Sequence, residues 1–84
     1  MIEDKGLLAA AKKYTEKLRA IRRDLHRHPE LGFQEFRTTE FIRRELAAIP
    51  GMKLRKPSCG TGVIADLPGD STRMVALRAD IDAL

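Results

Sequence analysis

Tryptophan is missing from this chain, tyrosine occurs once, and aromatic residues make up only 5% of it. Few large anchors are therefore at hand for an independent core. A folded chain of 84 residues removes only roughly 60–65% of its unfolded surface from water, which leaves such a domain marginal. The single cysteine excludes an internal disulfide framework. No apolar run approaches the ~20 residues of a membrane span. Met1-Ile2-Glu3-Asp4-Lys5 lacks the basic and apolar regions of a secretion signal. What remains is 43% hydrophobic and 33% charged, a balance that excludes disordered and membrane classes. The expectation is a cytoplasmic enzyme, or a piece of one, with no membrane partner.

Sixteen Lys and Arg against twelve Asp and Glu give a net charge of +4. Much of the excess lies at Lys12, Lys13, Lys17, Arg19, Arg22, Arg23 and Arg27. A small basic module binding nucleic acid or protein is one reading of that run. A solvated helix face is the favoured one. No RNA-reading motif accompanies the charge, and the aromatics on which bases stack are scarce. No nucleic-acid partner is expected.

Leu7, Ala11, Tyr14, Leu18, Ile21 and Leu25 recur at alternating spacings of four and three. That places them on one face of an amphipathic helix. Pro29 disfavours helical geometry at His28, so the helix should finish there. The spacing predicts a second helix over 34–49, with Thr39, Ile42, Leu46 and Ile49 along one face. Pro50-Gly51 should end it. Strand character follows at Met52–Arg55, then a loop from Lys56 to Thr61, then a clearer strand at Gly62–Leu67. Pro68-Gly69 suits the centre of a type II turn. Met74–Leu77 is continuously apolar, as a central strand covered on both faces would be. The expected fold class is α/β, two N-terminal helices followed by three strands. So apolar an edge needs further sheet and helices to cover it, so residues 1–84 read as the front portion of a larger catalytic domain.

Residues that leave the end of such a strand are where open α/β sheets gather their chemistry. If the strand stays extended, Arg78, Asp80 and Asp82 share one face at about 6.5–7 Å intervals. They could hold a metal, orient a metal-ligating His, or form a structural ion pair. His26 and His28, two apart on a helix, point about 200° away from each other and cannot clamp one ion. Capping the carbonyls at the helix end is their more ordinary role. Cys59 lies in a Gly/Pro/Ser loop without the local signature of a nucleophile, and a small buried hydrophobe is the favoured reading. Gly60-Thr61-Gly62 precedes a strand rather than a helix, which is wrong for a phosphate loop.

Two segments together resemble a known family. Arg22-Arg23-Asp24-Leu25-His26-Arg27-His28-Pro29-Glu30-Leu31-Gly32-Phe33-Gln34-Glu35 is similar to the opening motif of the zinc-peptidase-like amidohydrolases. These form the aminoacylase and carboxypeptidase superfamily, here in the branch acting on N-acyl amino acids, hippurate and indole-acetyl-amino-acid conjugates. Val75-Ala76-Leu77-Arg78-Ala79-Asp80-Ile81-Asp82-Ala83-Leu84 looks like that branch's Leu-Arg-Ala-Asp-x-Asp-Ala-Leu strand. The likeness runs over most of the chain from about Leu18.

The resemblance implies an α/β sandwich catalytic domain with a smaller lid domain that lies outside this chain, assembled as a homodimer or homotetramer. It implies two divalent metal ions (zinc, manganese, nickel or cobalt) that polarise the scissile carbonyl and activate water, with a glutamate as general base. Peptidase relatives carry His-x-Asp at this strand end. Arg78 stands at the His position here, so that ligand is lost. The remaining ligands belong to a His-x-Cys-Gly-His-Asp motif, a glutamate pair and further histidines, none of them within residues 1–84. No metal is expected on this segment alone, which should be inactive in isolation. Asp80 matches the aspartate that orients a neighbouring metal ligand, and that is the role expected of it. Arg78 and Asp82 are expected to shape the strand exit.

Overall fold

A computed structural model describes residues 4–57 and 59–83. Met1, Ile2 and Glu3 of the N-terminal reading, Ser58 of the loop and Leu84 of the terminal motif lie outside the described residues. Among the described residues there are three helices and two strands: α1 (Asp4–Lys12), α2 (Thr15–Arg27), α3 (Phe36–Ala47), β1 (Lys53–Arg55) and β2 (Ile64–Asp66). The fold is mixed α and β, as the sequence predicts.

The first apolar stripe spans two helices rather than one. At the break, Lys13 N–H donates to Ala10 O at 3.3 Å and Tyr14 N–H to Ala11 O at 3.0 Å. These three-residue spacings tighten and close α1. Leu18 N–H then donates to Tyr14 O at 2.8 Å and opens α2. An aromatic and a β-branched residue meet at Tyr14-Thr15, where both lose side-chain freedom in a helix. Apolar periodicity is blind to such a break, because the stripe continues across it.

Helix α2 ends where Pro29 requires. His28 N–H reaches Leu25 O at 3.2 Å, and His28 Nδ1 donates to Asp24 O at 3.0 Å. One of the two histidines thus caps the helix. Helix α3 is two residues shorter at each end than the predicted span. Beyond it Ile49 N–H donates to Leu46 O at 3.0 Å and Met52 N–H to Ile49 O at 3.2 Å. Gly51 turns the chain with φ 83°, a conformation that costs glycine little.

Strands β1 and β2 pair antiparallel, Lys53 opposite Asp66, Leu54 opposite Ala65 and Arg55 opposite Ile64. Arg55 Nε lies 2.8 Å from Asp66 Oδ2, an ion pair that joins the two strands. Helix α3 rests on β1, and these contacts are the extensive packing among the described elements.

The third predicted strand does not form. Residues 74–77 have no ladder partner among the described residues, and Met74, Val75 and Leu77 are 90%, 90% and 98% exposed. A strand is a property of a pair, and β1 and β2 are paired with each other. The segment's apolar character is real, but no second strand lies beside it. No apolar side chain among the described residues is buried. The closest packing is polar: Glu35, Thr38 and Thr61 are the buried residues.

Candidate functional site

The helix end at His28, the loop from Pro29 to Glu35 and the start of α3 together make a socket. Glu30 is its centre. Its Oε1 accepts Thr38 N–H at 2.6 Å and its Oε2 accepts Arg37 N–H at 3.0 Å. These two amides, in the first turn of α3, have no partner inside the helix. Glu35, the residue beside the helix start, makes no side-chain cap. Glu30 supplies the cap from further back, and its charge complements the positive end of the helix. The Thr38 hydroxyl, then the Thr38 and Arg37 amides, hold the Glu30 carboxyl below its ordinary 4.5, against the opposing pull of burial.

A second set of bonds fastens α3 to the loop before β2. Thr61 Oγ1 donates to Glu35 Oε1 at 3.1 Å in a buried contact, and Gly62 N–H donates to Thr39 Oγ1 at 2.8 Å. On the other side, Arg37 Nη2 donates to both oxygens of Asp24 at 3.0 Å, tying α2 to α3. Lys17 and Glu45 add a pair at 3.2 Å between the same helices.

The end of the chain returns to this socket. Ala83 N–H donates to the Glu30 carbonyl at 2.7 Å. A Cβ on Gly32 would lie 3.8 Å from Asp82 Oδ2, so turn and exit segment run close together. A cleft of about 230 Å³ opens between them. The end of α2 lines it through His26 and His28, α3 through Thr38 and Ile42, and the exit segment through Asp80 and Asp82. The two sequence motifs, some fifty residues apart, meet at one place.

Asp80 therefore borders the cleft, but its side chain is largely exposed and pairs with Arg78 Nη2 at 2.9 Å. Of the roles open to Arg78, Asp80 and Asp82, an ion pair is the one the geometry displays, between the first two. Asp80 and Asp82 border the cleft together with the intervening Ile81, because an unpaired segment is not bound to the strict alternation of a strand. Cys59 is exposed, not buried as its composition suggests, and its Sγ donates to Thr61 O at 3.1 Å. Part of the basic run is neutralised on the surface, Arg19 by Glu16 at 2.6 Å and Lys17 by Glu45.

Among the described residues no three His, Cys, Asp or Glu are placed to hold a metal ion. The donor set present thus does not fit a two-metal cage. No described helix is long and apolar enough to cross a membrane.

The chain is 49% identical over 76 residues to an N-acetylcysteine deacetylase of Bacillus subtilis, a match spanning 89% of the chain. It is 46% identical over 66 residues, 77% of its length, to an N-acetyldiaminopimelate deacetylase of Geobacillus. Its homologues are amidohydrolases of the aminoacylase-like branch. An IAA-amino acid hydrolase of Arabidopsis thaliana is a third such amidohydrolase, 50% identical over 64 residues and 76% of the chain. The chain spans 20%, 18% and 14% of the lengths of these three relatives. No family model matches it, and no solved structure matches it significantly.

The aminoacylase-like motif at residues 22–35 reads, from sequence, as a helix-to-helix junction. It is one, and it is also the wall of the cleft that Asp80 borders. The roles of Glu30, Glu35 and Thr61 are not visible in the sequence. The one available signal is a pair of carboxylates just ahead of a helix that lacks a Ser, Thr, Asp or Asn at its start.

Proposed function

We propose that this chain is the N-terminal framework of the catalytic domain of a metal-dependent amidohydrolase that cleaves the amide bond of N-acyl amino acids or related conjugates. The observation that carries the reading is the 46–50% identity, over three-quarters or more of the chain, to three hydrolases whose named substrates are all amides of amino acids. The convergence of both family-like motifs on one cleft supports it. So does the apolar surface of residues 74–77, which further sheet would cover in an α/β sandwich. The longer protein is a cytoplasmic homodimer or homotetramer in this reading.

The two divalent ions find no cage among the described residues. When bound, such ions supply charge stabilisation and an activated water. What this chain contributes is placement: Glu30 and Arg37 fix the helices, Ala83 is held to Glu30, and Asp80 stands at the rim to orient a neighbouring ligand.

The test is acid release from a panel of N-acyl amino acids by the complete gene product, with and without chelator. Hydrolysis of at least one member, lost on chelation, is the expected result. A complete product that hydrolyses none of them would overturn the reading. Hydrolysis indifferent to chelator would remove the metals and leave the amidase.

A further inference from the structure

We infer that Glu30 is a positioning residue, whose carboxylate and carbonyl together set where Asp80 stands at the cleft. The inference rests on the amidohydrolase reading for its kinetic consequence, but its structural content stands apart from that reading.

Glu30 bonds at both of its ends. The carboxylate spans the Arg37 and Thr38 amides, and the carbonyl accepts Ala83 N–H at 2.7 Å. Ala83 lies three residues beyond Asp80. Among the described residues, this contact is the backbone hydrogen bond that ties the exit segment to the rest of the molecule. Met74–Leu77 upstream has no ladder to hold it, and the Arg78–Asp80 pair is solvent-exposed and worth little. Beside the packing of half-buried Ile81 and Ala83 at the cleft, the position of Asp80 is thus set through Glu30.

The carboxylate matters to the carbonyl because both belong to one residue in a short loop. With the side chain locked onto the first turn of α3, residue 30 has few torsions left, and its carbonyl points at a defined place. Without that lock, the loop is held by the Leu31–Gln34 turn and by Glu35 to Thr61. Neither bond constrains the direction of the Glu30 carbonyl. Glutamine keeps one acceptor oxygen and can still bind one amide, whereas alanine keeps none.

Hydrogen exchange on the complete protein reads this directly, by mass spectrometry of peptides covering 36–39 and 80–83. In Glu30→Ala, exchange in the first turn of α3 should rise about fivefold, as for a lost helix cap, and exchange at 80–83 should rise with it. Glu30→Gln should recover part of both. Glu35→Gln, which weakens the bond to Thr61, should leave 80–83 unchanged. In the same samples, hydrolysis of N-acetyl amino acids should lose about tenfold in kcat in Glu30→Ala, at the lower end of what outer positions cost. KM should stay within about twofold, since no substrate contact is removed, and Glu30→Gln should rescue part of kcat. If Glu30→Ala loosens 36–39 while 80–83 stays protected, Glu30 is a helix cap and nothing more, and the inference fails. An equal rise at 80–83 in Glu35→Gln would likewise overturn it. Should Glu30→Ala not fold, the same comparison in Glu30→Gln decides. A wild-type protein without amidase activity would remove the functional reading while leaving the exchange result to judge the positioning.

Discussion

In the proposed framework, chemistry turns on Asp80 and placement on Glu30. Asp80 is exposed and paired with Arg78 at 2.9 Å, so its loss should cost little stability. In the complete protein, Asp80→Asn is expected to lower kcat for N-acyl amino acids 10–100-fold, roughly the range for groups that orient a metal ligand. Metal counted in the same sample should be largely retained, and a wild-type rate would take Asp80 out of the mechanism. Glu30 carries a pH dependence. Its carboxyl is held below the ordinary 4.5 by the Thr38 hydroxyl first, then by the Thr38 and Arg37 amides. A depressed folded value means the stabilisation is fully present above 4.5 and is lost as pH falls below it, through the lowered value. Amide protection at residues 36–39, followed by hydrogen exchange across that interval, should fall in the wild type. Glu30→Gln, which does not titrate, should lack that component.

At the scale of elements, the loop between α2 and α3 stores strain. Phe33 has φ 66°, in the left-handed region that a bulky residue rarely occupies, and its side chain is 77% exposed. The Leu31–Gln34 hydrogen bond at 2.9 Å imposes that geometry on the turn. Little burial offsets the cost, so Phe33→Gly should stabilise the complete protein by about 1 kcal/mol, read as a raised midpoint in urea. An unchanged or lower midpoint would mean that the ring is packed in the assembled molecule.

Which elements could be read from sequence follows from what kind of signal each one needs. Pro29 and Pro50-Gly51 mark the helix ends within one to three residues, because proline acts on the backbone next to it. The strands at 53–55 and 64–66 lie inside their predicted spans, since alternation and turn residues are local. The break at Lys13-Tyr14 leaves the apolar period intact and so is silent. Residues 74–77 carry a strand's composition, but pairing depends on a neighbour, and composition cannot report one. The cleft depends on a contact between residues 30 and 83, which no local pattern encodes.

As a whole molecule, the chain is held together by polar bonds around α3 rather than by an oily interior. Leu7, Leu18, Leu67, Met74, Val75 and Leu77 all face outward, and the apolar burial that normally dominates folding energy is only partial among the described residues, with Leu25, Ile42, Leu46, Leu54 and Val63 half-buried. Such a surface is consistent with a framework completed by further sheet and helices, as proposed above. Stray histidines and carboxylates that do not converge should bind zinc no better than about micromolar, since a structural or catalytic site needs three or four convergent ligands. The most direct measurement is acetate release from N-acetyl amino acids by the 84-residue chain and by the complete protein, side by side, with zinc binding to each followed by calorimetry. Turnover with bound metal in the complete protein, and neither turnover nor tight zinc in the short chain, is the predicted result. Hydrolysis or stoichiometric tight zinc binding by the short chain alone would contradict it.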